Sequence, residues 1–389
     1  MTGAAAGWRT QGQDAALAAV RRAFVQDALP HAILLAGPAG TGKTTLALDL
    51  AAAVLCTEGS REGRPCRTCR GCRMVEHGNH PDLHRLAPGG AGATIGIGGR
   101  DRGPGIRGLI DELSLLPAEG GARVAIVESA DRLTEDAQSA FLKTLEEPPA
   151  RTTFILCADE PDRLLPTVRS RCARIRLGPV GSRTIEAILA SEAGTDAPTA
   201  ARLARVAGGR PGIALAYARA PGGAVTIRDE IARGLLDLAA RRRAERLTTI
   251  RDLLARAGDL VRSLDGTPNA PRPKRGAASE TEAAVADGVG PEEGPAVRAP
   301  AAERRRAALA LLAIWRDVVR DLALVERDAR RLVRDTDLLD DYEAALARRS
   351  GQTGDGFLRR LSRSGELLEN NVSPELALDA LALAWGRAA

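Results

Sequence analysis

The chain has 389 residues, of which 44% are hydrophobic, 27% charged and 2% aromatic. That length suffices for two or three domains of roughly 100–200 residues each. The nine aromatic rings are too few to anchor the cores of sandwiches or barrels, which argues against an all-β fold. A net charge of +5 permits contact with nucleic acid without requiring it, because 50 acidic residues nearly balance the 55 basic ones. Only three of the basic residues are lysines, namely Lys43, Lys143 and Lys274.

The sequence shows no secretory signal and no membrane span, and two of its segments are unlike those of a folded core. The first residues lack the basic and apolar regions of a secretory signal, and no run of about 18 apolar residues occurs. We therefore expect a soluble, cytoplasmic protein without membrane contact. Residues 266–300 contain no Ile, Leu, Phe, Tyr or Trp and are predicted to form a disordered insertion. Residues 87–105 are crowded with glycine and predict a long mobile loop before the next helix.

Strand and helix patterns alternate over the first 180 residues. Short strand patterns occur at 31–36, 123–127 and 153–157, and helical patterns follow the first two, at 44–56 and 134–147. This order predicts a parallel α/β sheet with helices on its faces. From residue 182 onward the sequence predicts helices only, at 185–192, 199–207, 307–324 and 374–385.

The strongest single motif is the sequence Gly-Pro-Ala-Gly-Thr-Gly-Lys-Thr at 37–44, a full match to the Walker A pattern. It lies between a predicted strand and a predicted helix, as a phosphate loop requires. Its glycines let the backbone wrap a phosphate chain, the lysine reaches the outer phosphates, and the final threonine can ligate magnesium. The residues predicted to bind ATP with Mg²⁺ are Gly37, Pro38, Gly40, Thr41, Gly42, Lys43, Thr44 and Thr45, with Glu128 as the candidate metal carboxylate.

Hydrolysis of the nucleotide is less well supported than its binding. A P-loop enzyme needs a carboxylate at the tip of a neighbouring strand to hold the metal, and usually a second one to orient the attacking water. The predicted strand at 123–127 is followed by Glu128 and then Ser129, so the second carboxylate is missing. Because positioning and electrostatics carry most of phosphoryl-transfer catalysis, its loss is expected to lower turnover by several orders of magnitude.

Four of the six cysteines follow the spacing C-x9-C-x2-C-x2-C. In a cytosolic chain this spacing favours a tetrahedral structural zinc site, because the short intervals set neighbouring sulfurs around one ion and four ligands leave no open position. A pair of disulfides is disfavoured in that compartment, and free thiols are the remaining alternative. The predicted zinc ligands are Cys56, Cys66, Cys69 and Cys72.

Other histidines and cysteines are not assigned to this site. His77, His80 and His84 follow closely in sequence and could replace a thiolate, but four cysteines already complete the ligand set. We interpret the histidines as ordinary polar residues. Cys157 and Cys172 lie apart from the cluster and are interpreted as small buried side chains.

A short sequence, Ser-Arg-Cys at 170–172, follows the third predicted strand. An arginine at the far edge of a P-loop domain can act as a finger on a nucleotide bound by a neighbouring subunit. Taken alone, Arg171 is more simply interpreted as one surface arginine among 52.

Together these motifs resemble a known family. The phosphate loop, the spacing of the four cysteines, the sequence Phe-Leu-Lys-Thr-Leu-Glu-Glu-Pro-Pro at 141–149 and the Ser-Arg-Cys at 170–172 are similar to those of the AAA+ subunits of the bacterial DNA polymerase III clamp loader. Near the C-terminus, segments 315–317 and 371–378 resemble the collar of the delta prime subunits in particular. The resemblance spans nearly the whole chain, with 266–300 as the main exception.

The resemblance implies three domains: a RecA-like AAA+ P-loop domain over 1–178 with a zinc module at 56–72, a helical lid over 179–225, and a helical collar over 226–389. It also implies a hetero-pentameric ring with gamma/tau and delta subunits, which opens the sliding clamp and loads it onto primed DNA. In that ring Arg171 would complete the ATP site of a neighbouring motor subunit. A subunit of the delta prime type acts as a stator, and its own site is usually degenerate.

Departures from the motor pattern favour the stator interpretation. The Asp-Glu pair of motor subunits is replaced by Glu128 and Ser129, and the sensor position within 157–159 is altered. Gly212 stands where motor subunits place an arginine, while Arg210 comes two positions early. We therefore expect weak or absent ATPase activity, with an active gamma/tau-type ATPase as the alternative. A zinc-finger DNA-binding protein is disfavoured because the cysteines interrupt an ATPase domain.

Contact with DNA is a further implication of the resemblance. The helix that begins near Arg107 and the helix that carries Lys143 would face the central chamber of the ring, where their side chains could meet phosphates. An equally good interpretation is that both are interface or surface charges. With so few aromatic residues, DNA binding is expected to be independent of sequence and sensitive to salt.

Overall fold

The computed structural model divides the chain into two compact units, with the boundary after Arg219. The predicted insertion at 266–300 lies outside the described residues apart from Pro300, so its disorder stays a prediction, as does the three-domain division. The structure describes residues 7–89, 94–98, 105–119, 121–220, 223–265, 300–348, 355–369 and 372–385.

The first unit is built on a five-stranded sheet in which every pairing is parallel, which confirms the predicted α/β architecture. The order across the sheet is β2-β3-β4-β1-β5, so the strand that leads into the phosphate loop lies between β4 and β5. The strands are β1 (Ala32–Ala36), β2 (Leu83–Leu86), β3 (Arg123–Val127), β4 (Thr152–Ala158) and β5 (Ala173–Arg176).

Helices cover both faces of this sheet and continue beyond it. The last three helices follow β5 and lie within residues 179–225, the range predicted for the lid. In chain order, the α-helices of the first unit are α1 (Asp14–Val25), α2 (Lys43–Val54), α3 (Arg70–His77), α4 (Ile106–Ser114), α5 (Glu135–Glu146), α6 (Pro166–Arg169), α7 (Ser182–Ala193), α8 (Ala197–Ala207) and α9 (Pro211–Arg219).

The core has one layer on each face of the sheet because successive strand residues point in opposite directions. Ile33 and Leu35 enter the layer beneath α1, α2 and α3. Leu34 enters the layer beneath α4 and α5, where Phe141 packs edge-on against Phe154 with ring centroids 5.3 Å apart. Fully burying one such side chain contributes about 1.5–3 kcal/mol, so the two aliphatic layers hold the helices on the sheet.

Two features of this unit differ from the sequence-based expectations. Strands β2 and β5 lie outside the three predicted strand ranges. In β2 only the two end residues are buried, and in β5 half-buried and exposed residues alternate, so neither has a continuous apolar run. Part of the segment predicted as a mobile loop is held in place: Ile95 is buried and forms a parallel bridge with Leu133. The single apolar side chain at 95 anchors a backbone that glycines would otherwise leave free.

The second unit is helical throughout its described residues, as predicted. Three of its four aromatic residues lie together, since Trp385 lies 5.9 Å from Trp315 and 4.6 Å from Phe357 between ring centroids. Of the helices that the structure describes, none combines the length and apolarity needed to cross a membrane. The helices are α10 (Ala224–Leu238), α11 (Arg243–Asp265), α12 (Ala301–Glu326), α13 (Leu339–Ala347), α14 (Asp355–Glu369) and α15 (Pro374–Ala384).

A buried carboxylate ties the N-terminal segment to the helix that follows the phosphate loop. Asp49, on α2, accepts hydrogen bonds from the backbone N–H groups of Arg9 (2.9 Å) and Thr10 (2.8 Å) and from the Thr10 hydroxyl (2.7 Å). The guanidinium of Arg67, in the cysteine-rich segment, forms an ion pair with the same carboxylate. These partners replace the water that Asp49 loses on burial, and they join three segments that are distant in sequence.

We expect Asp49→Ala to lower the free energy of unfolding by about 1–3 kcal/mol, because it leaves the N–H groups of Arg9 and Thr10 without their acceptor, while Arg67 keeps Glu76 and the carbonyl of Gly7 as partners. Urea unfolding followed by circular dichroism measures the change. Asp111→Ala is the matched control, since Asp111 is exposed on α4 and its removal should leave stability unchanged. A loss below about 1 kcal/mol in Asp49→Ala would show that the network does not join these segments.

Candidate nucleotide and metal sites

The phosphate-loop sequence forms the turn between β1 and α2. Gly37 donates its N–H to the carbonyl of Ala158 (3.1 Å), and a Cβ at Gly37 would lie 2.1 Å from the carbonyl oxygen of Leu177, so only glycine fits. Gly42 precedes α2 with φ of 100°, in the left-handed region. The turn therefore delivers the first N–H groups of α2 to one place, which is the arrangement that binds phosphate.

Lys43 is held inside this turn. Its ammonium donates to the carbonyl oxygens of Gly37 (2.6 Å) and Pro38 (2.8 Å), and it forms an ion pair with Asp159, with 2.6 Å between Nζ and Oδ1. The lysine side chain is 8% exposed and the aspartate side chain 43%. Thr44 is half-buried and Thr45 exposed at the start of α2.

The candidate metal carboxylate already has a cationic partner. Glu128 follows β3 and accepts hydrogen bonds from Arg85 of β2, with 2.9 Å between Nε and Oε1. Ser129, the next residue, adopts left-handed backbone angles at φ of 51° and carries a hydroxyl, so it supplies no second carboxylate at this position. Both bonds from Arg85 go to Oε1, so the guanidinium competes with a magnesium ion for the charge of Glu128 without occupying Oε2.

These charged residues share one face of the sheet. Leu83, Ile126 and Cys157 all point into the core layer beneath α2. Because side chains alternate along a strand, Arg85, Glu128 and Asp159, each two residues further on, continue that face toward the phosphate loop. Counting in steps of two from the buried residues of the predicted strands assigns Glu128 and Asp159 to this face, but the sequence gives no signal for Arg85 or for which strands are neighbours.

The predicted lid contacts the phosphate loop directly. The N–H of Gly212, at the start of α9, donates to the carbonyl of Gly40 (2.9 Å). A Cβ at position 212 would lie 3.2 Å from the Gly40 Cα, so the close approach favours glycine there. The side chain of Arg210 is turned toward its own lid, where Nε donates to the carbonyl of Ala207 (2.8 Å).

Gln13 is a residue that the sequence-based reasoning missed. Its side-chain amide donates to the carbonyls of Thr41 (3.1 Å) and Gly178 (2.7 Å), while its oxygen accepts from the N–H of Gly178 (3.2 Å). The side chain is buried, and it joins the phosphate loop to the segment that leads into the lid. One glutamine in a polar N-terminal segment gives no signal of this role.

The four predicted metal ligands do come together. Their sulfur atoms all lie within 4.8 Å of one another, with 3.8 Å between Cys56 and Cys69 and 4.0 Å between Cys66 and Cys72. Tetrahedral zinc with Zn–S bonds of about 2.3 Å requires sulfur separations near 3.8 Å, whereas a disulfide requires about 2.05 Å. None of the six cysteines forms a disulfide, so the disulfide alternative does not apply.

Backbone groups point at these sulfurs. The N–H of Cys69 donates to the sulfur of Cys66 (3.3 Å), and the N–H of Cys72 donates to that of Cys69 (3.4 Å). Burial raises the pKa of the Cys72 thiol. At Cys69, burial is outweighed by hydrogen bonds from the Cys72 N–H and from Thr57, which lower the pKa to about 6. Such donors stabilise thiolates, which are the form that binds metal.

The neighbouring histidines point elsewhere. His80 Nδ1 accepts from the N–H of Asp82 (3.1 Å), and His84 Nδ1 lies 2.8 Å from a carboxylate oxygen of Glu112. Within the described residues the metal-binding group consists of the four cysteines alone.

Arg171 lies at the opposite edge of the sheet from the phosphate loop. Strand β5 begins two residues after it, and Ala173 pairs in register with Ile33, near the start of β1. Four residues of strand, about 13 Å, separate that level from Gly37. The guanidinium is one-third exposed, donates to the carbonyl of Thr167 (2.8 Å) and pairs with Glu146. It therefore cannot reach this chain's own phosphate loop.

The candidate DNA contacts, Arg107 and Lys143, are both exposed. They lie on α4 and α5, which pack on the same face of the sheet. Exposure on neighbouring helices leaves their contact with DNA a prediction.

The first unit has the features of an AAA+-type P-loop unit. A phosphate loop joins β1 to α2, the five-stranded sheet is all parallel, and a helix that follows the sheet in sequence contacts the loop. The sequence profile of a family described as "DNA polymerase III, delta subunit" matches residues 12–181. A DNA polymerase III subunit delta' of Bacillus subtilis is 38% identical over 161 residues, which cover 41% of this chain and 46% of that protein.

Two other relatives are also similar to the chain. The subunit delta' of Escherichia coli is 37% identical over 186 residues, 48% of this chain and 54% of that protein. The subunit tau of Salmonella typhimurium is 33% identical over 176 residues, 44% of this chain and 26% of that protein. The chain thus spans about half the length of the delta' relatives it matches. The resemblance read from the motifs is confirmed as a sequence similarity: over residues 12–181 this P-loop unit is similar to the delta prime subunits of the DNA polymerase III clamp loader.

Proposed function

We propose that the chain works as a delta prime-like stator of a DNA polymerase III clamp loader, in the cytoplasm, and supports the loading of a sliding clamp onto primed DNA. The observation that carries this proposal is the pairing of its own catalytic charges. Asp159 engages Lys43, Arg85 engages Glu128, and Ser129 offers no second carboxylate. The phosphate cradle is intact, but the groups that drive hydrolysis are neutralised or missing.

The position of Arg171 supports its role as a finger in trans. Lying at the sheet edge away from the phosphate loop, it can serve only a nucleotide held by another subunit. Its partner Glu146 is about half exposed, so the guanidinium can exchange that carboxylate for a phosphate at modest cost. The expected neighbours are gamma/tau and delta subunits in a hetero-pentameric ring. A tau subunit is itself similar in sequence to this chain, which supports this expectation.

Nucleotide binding would use the cradle formed by 37–45. The N–H groups at the start of α2 would hold the phosphates, Thr44 would face the magnesium ion, and Gln13 would keep the loop in place. When bound, ATP with Mg²⁺ supplies the triphosphate on which the family acts. Arg107 and Lys143 are proposed to add a salt-sensitive attraction to DNA phosphates.

The cysteine cluster is proposed to hold one structural Zn²⁺. The sulfur separations match a tetrahedral ion, and the N–H groups that point at Cys66 and Cys69 orient the thiolates. With four protein ligands the ion has no position for substrate, so its role is to hold the segment 56–72 against α2.

The isolated chain is expected to hydrolyse no ATP above background, because the metal carboxylate is paired with Arg85 and the water-orienting carboxylate is absent. A steady-state ATPase assay with and without primed DNA measures this, and Lys43→Ala is the control for contaminating activity. A brisk rate that disappears in Lys43→Ala would contradict the stator and support a gamma/tau-type motor instead.

Arg171→Ala is expected to slow ATP hydrolysis by the reconstituted complex, because loss of an arginine finger lowers the rate at the site it serves by about 10³-fold or more. The total ATPase rate of the complex should fall by at least the part contributed by the one ATP site that Arg171 serves. The experiment combines this chain with gamma/tau and delta subunits and measures assembly together with DNA-stimulated ATPase.

Arg169→Ala is the matched control for this experiment. Arg169 lies two residues earlier, on α6, and pairs with the exposed Asp162. It should leave both assembly and hydrolysis unchanged. Wild-type hydrolysis by a ring that contains Arg171→Ala would exclude the finger role.

The wild-type chain is expected to purify with about one zinc ion per molecule, measured by plasma mass spectrometry, since four thiolates complete a structural site. Cys69→Ser should lose the metal and lower the melting temperature by several degrees, because zinc binding contributes directly to folding. Cys172→Ser, outside the cluster, should keep both. A metal-free wild-type protein with six titratable thiols would refute the zinc site.

A further inference from the structure

A negatively charged residue, Asp159, faces the phosphate loop from the end of β4. Its charge has the same sign as the phosphates that such a loop binds. Asp159 is the first residue after β4, and the parallel register places it beside Gly37, because Ala36 pairs with Ala158. Its carboxylate lies 2.6 Å from the ammonium of Lys43. An ammonium has three donors, and the other two are directed at the carbonyls of Gly37 and Pro38. All three donors of Lys43 are thus engaged inside the protein.

Asp159 is also held in this position by its own backbone. Its N–H donates to a carboxylate oxygen of Asp131 (3.2 Å), in the turn after β3. The side chain of Lys43 is 8% exposed, whereas that of Asp159 is 43% exposed. The carboxylate is therefore the more exposed member of the pair, and a terminal phosphate that reaches Lys43 comes close to it.

We propose that Asp159 determines the specificity of this site, its carboxylate taking the place of a terminal phosphate at Lys43, so that the phosphate loop accepts a nucleoside diphosphate in preference to a triphosphate. This inference rests on the proposed binding of nucleotide by the cradle at 37–45. It adds which nucleotide that cradle holds and which residue decides the choice.

The inner part of the cradle is unaffected by Asp159. The N–H groups at the start of α2 are oriented by Gly40 and Gly42, both with positive φ, and the space beside Gly42 is open, with no atom within 4 Å of a Cβ built there. A diphosphate can bind these groups while Lys43 keeps its carboxylate partner. A triphosphate instead brings a third anionic group to the same ammonium, and the two anions repel each other.

The experiment measures the dissociation constants of MgADP and MgATP by isothermal titration calorimetry on the full-length chain. The wild type is expected to bind ADP about tenfold more tightly than ATP, because like-charge juxtaposition opposes the triphosphate. Asp159→Asn keeps the shape and removes the charge, so it should tighten ATP binding about tenfold while changing ADP binding less than about threefold.

Glu160→Gln is the matched control. Glu160 is the next residue, carries the same charge and is exposed, but it pairs with Arg163 rather than Lys43. It should leave both affinities at the wild-type values. Melting temperature and zinc content show whether each variant is folded, and Asp159→Ser takes the place of Asp159→Asn if that variant is not.

Two results would overturn the inference: equal affinity of the wild type for ADP and ATP, or an unchanged ratio of the two affinities in folded Asp159→Asn. If neither the wild type nor Asp159→Asn binds ADP or ATP, the inference fails together with the nucleotide-binding part of the proposed function. The stator role is tested separately, because ring assembly and the effect of Arg171→Ala do not require nucleotide on this subunit.

Discussion

The parallel pairing of β1 between β4 and β5 is the constraint on which both ends of the P-loop unit depend. Register on one side sets Gly37 beside Asp159, and register on the other sets Ala173 beside Ile33. Parallel strands present all their carboxyl ends at one edge of the sheet. The phosphate loop and its charged neighbours therefore gather at that edge, while Arg171 is carried to the opposite one. This separation is what the proposed roles require, with a phosphate chain at one edge of the sheet and an arginine for a neighbouring subunit at the other.

The charges around the phosphate loop are satisfied within the protein. In an active P-loop enzyme the lysine and the strand-end carboxylate are directed at phosphate and metal. Here Asp159 and Arg85 take those partners' places, and each carries a full opposite charge at hydrogen-bonding distance. One partner of each pair is about one-third or more exposed, so the pairs contribute little to the stability of the fold.

The cysteine module illustrates how local spacing and distant contacts combine. Two x2 intervals bring three sulfurs together at the start of α3, where N–H groups of the same turn can point at them. The fourth, Cys56, follows the end of α2 and so connects the module to the helix that begins at the phosphate loop. Arg67, from within the module, reaches Asp49 on that same helix. The module and the loop are therefore positioned by a common element, although they are distinct sites.

Much of this protein was determined by its sequence alone. The phosphate loop, the cysteine ligands, three of the five strands and the helical second half are encoded in short patterns, because glycine conformation, thiolate spacing and hydrophobic periodicity act over a few residues. The edge strand β2, the anchoring of Ile95 and the partners of Lys43 and Glu128 were decided only by the tertiary structure. Those partners come from other strands, and an ion pair between residues more than 40 positions apart depends on sheet order and register, which no local pattern contains.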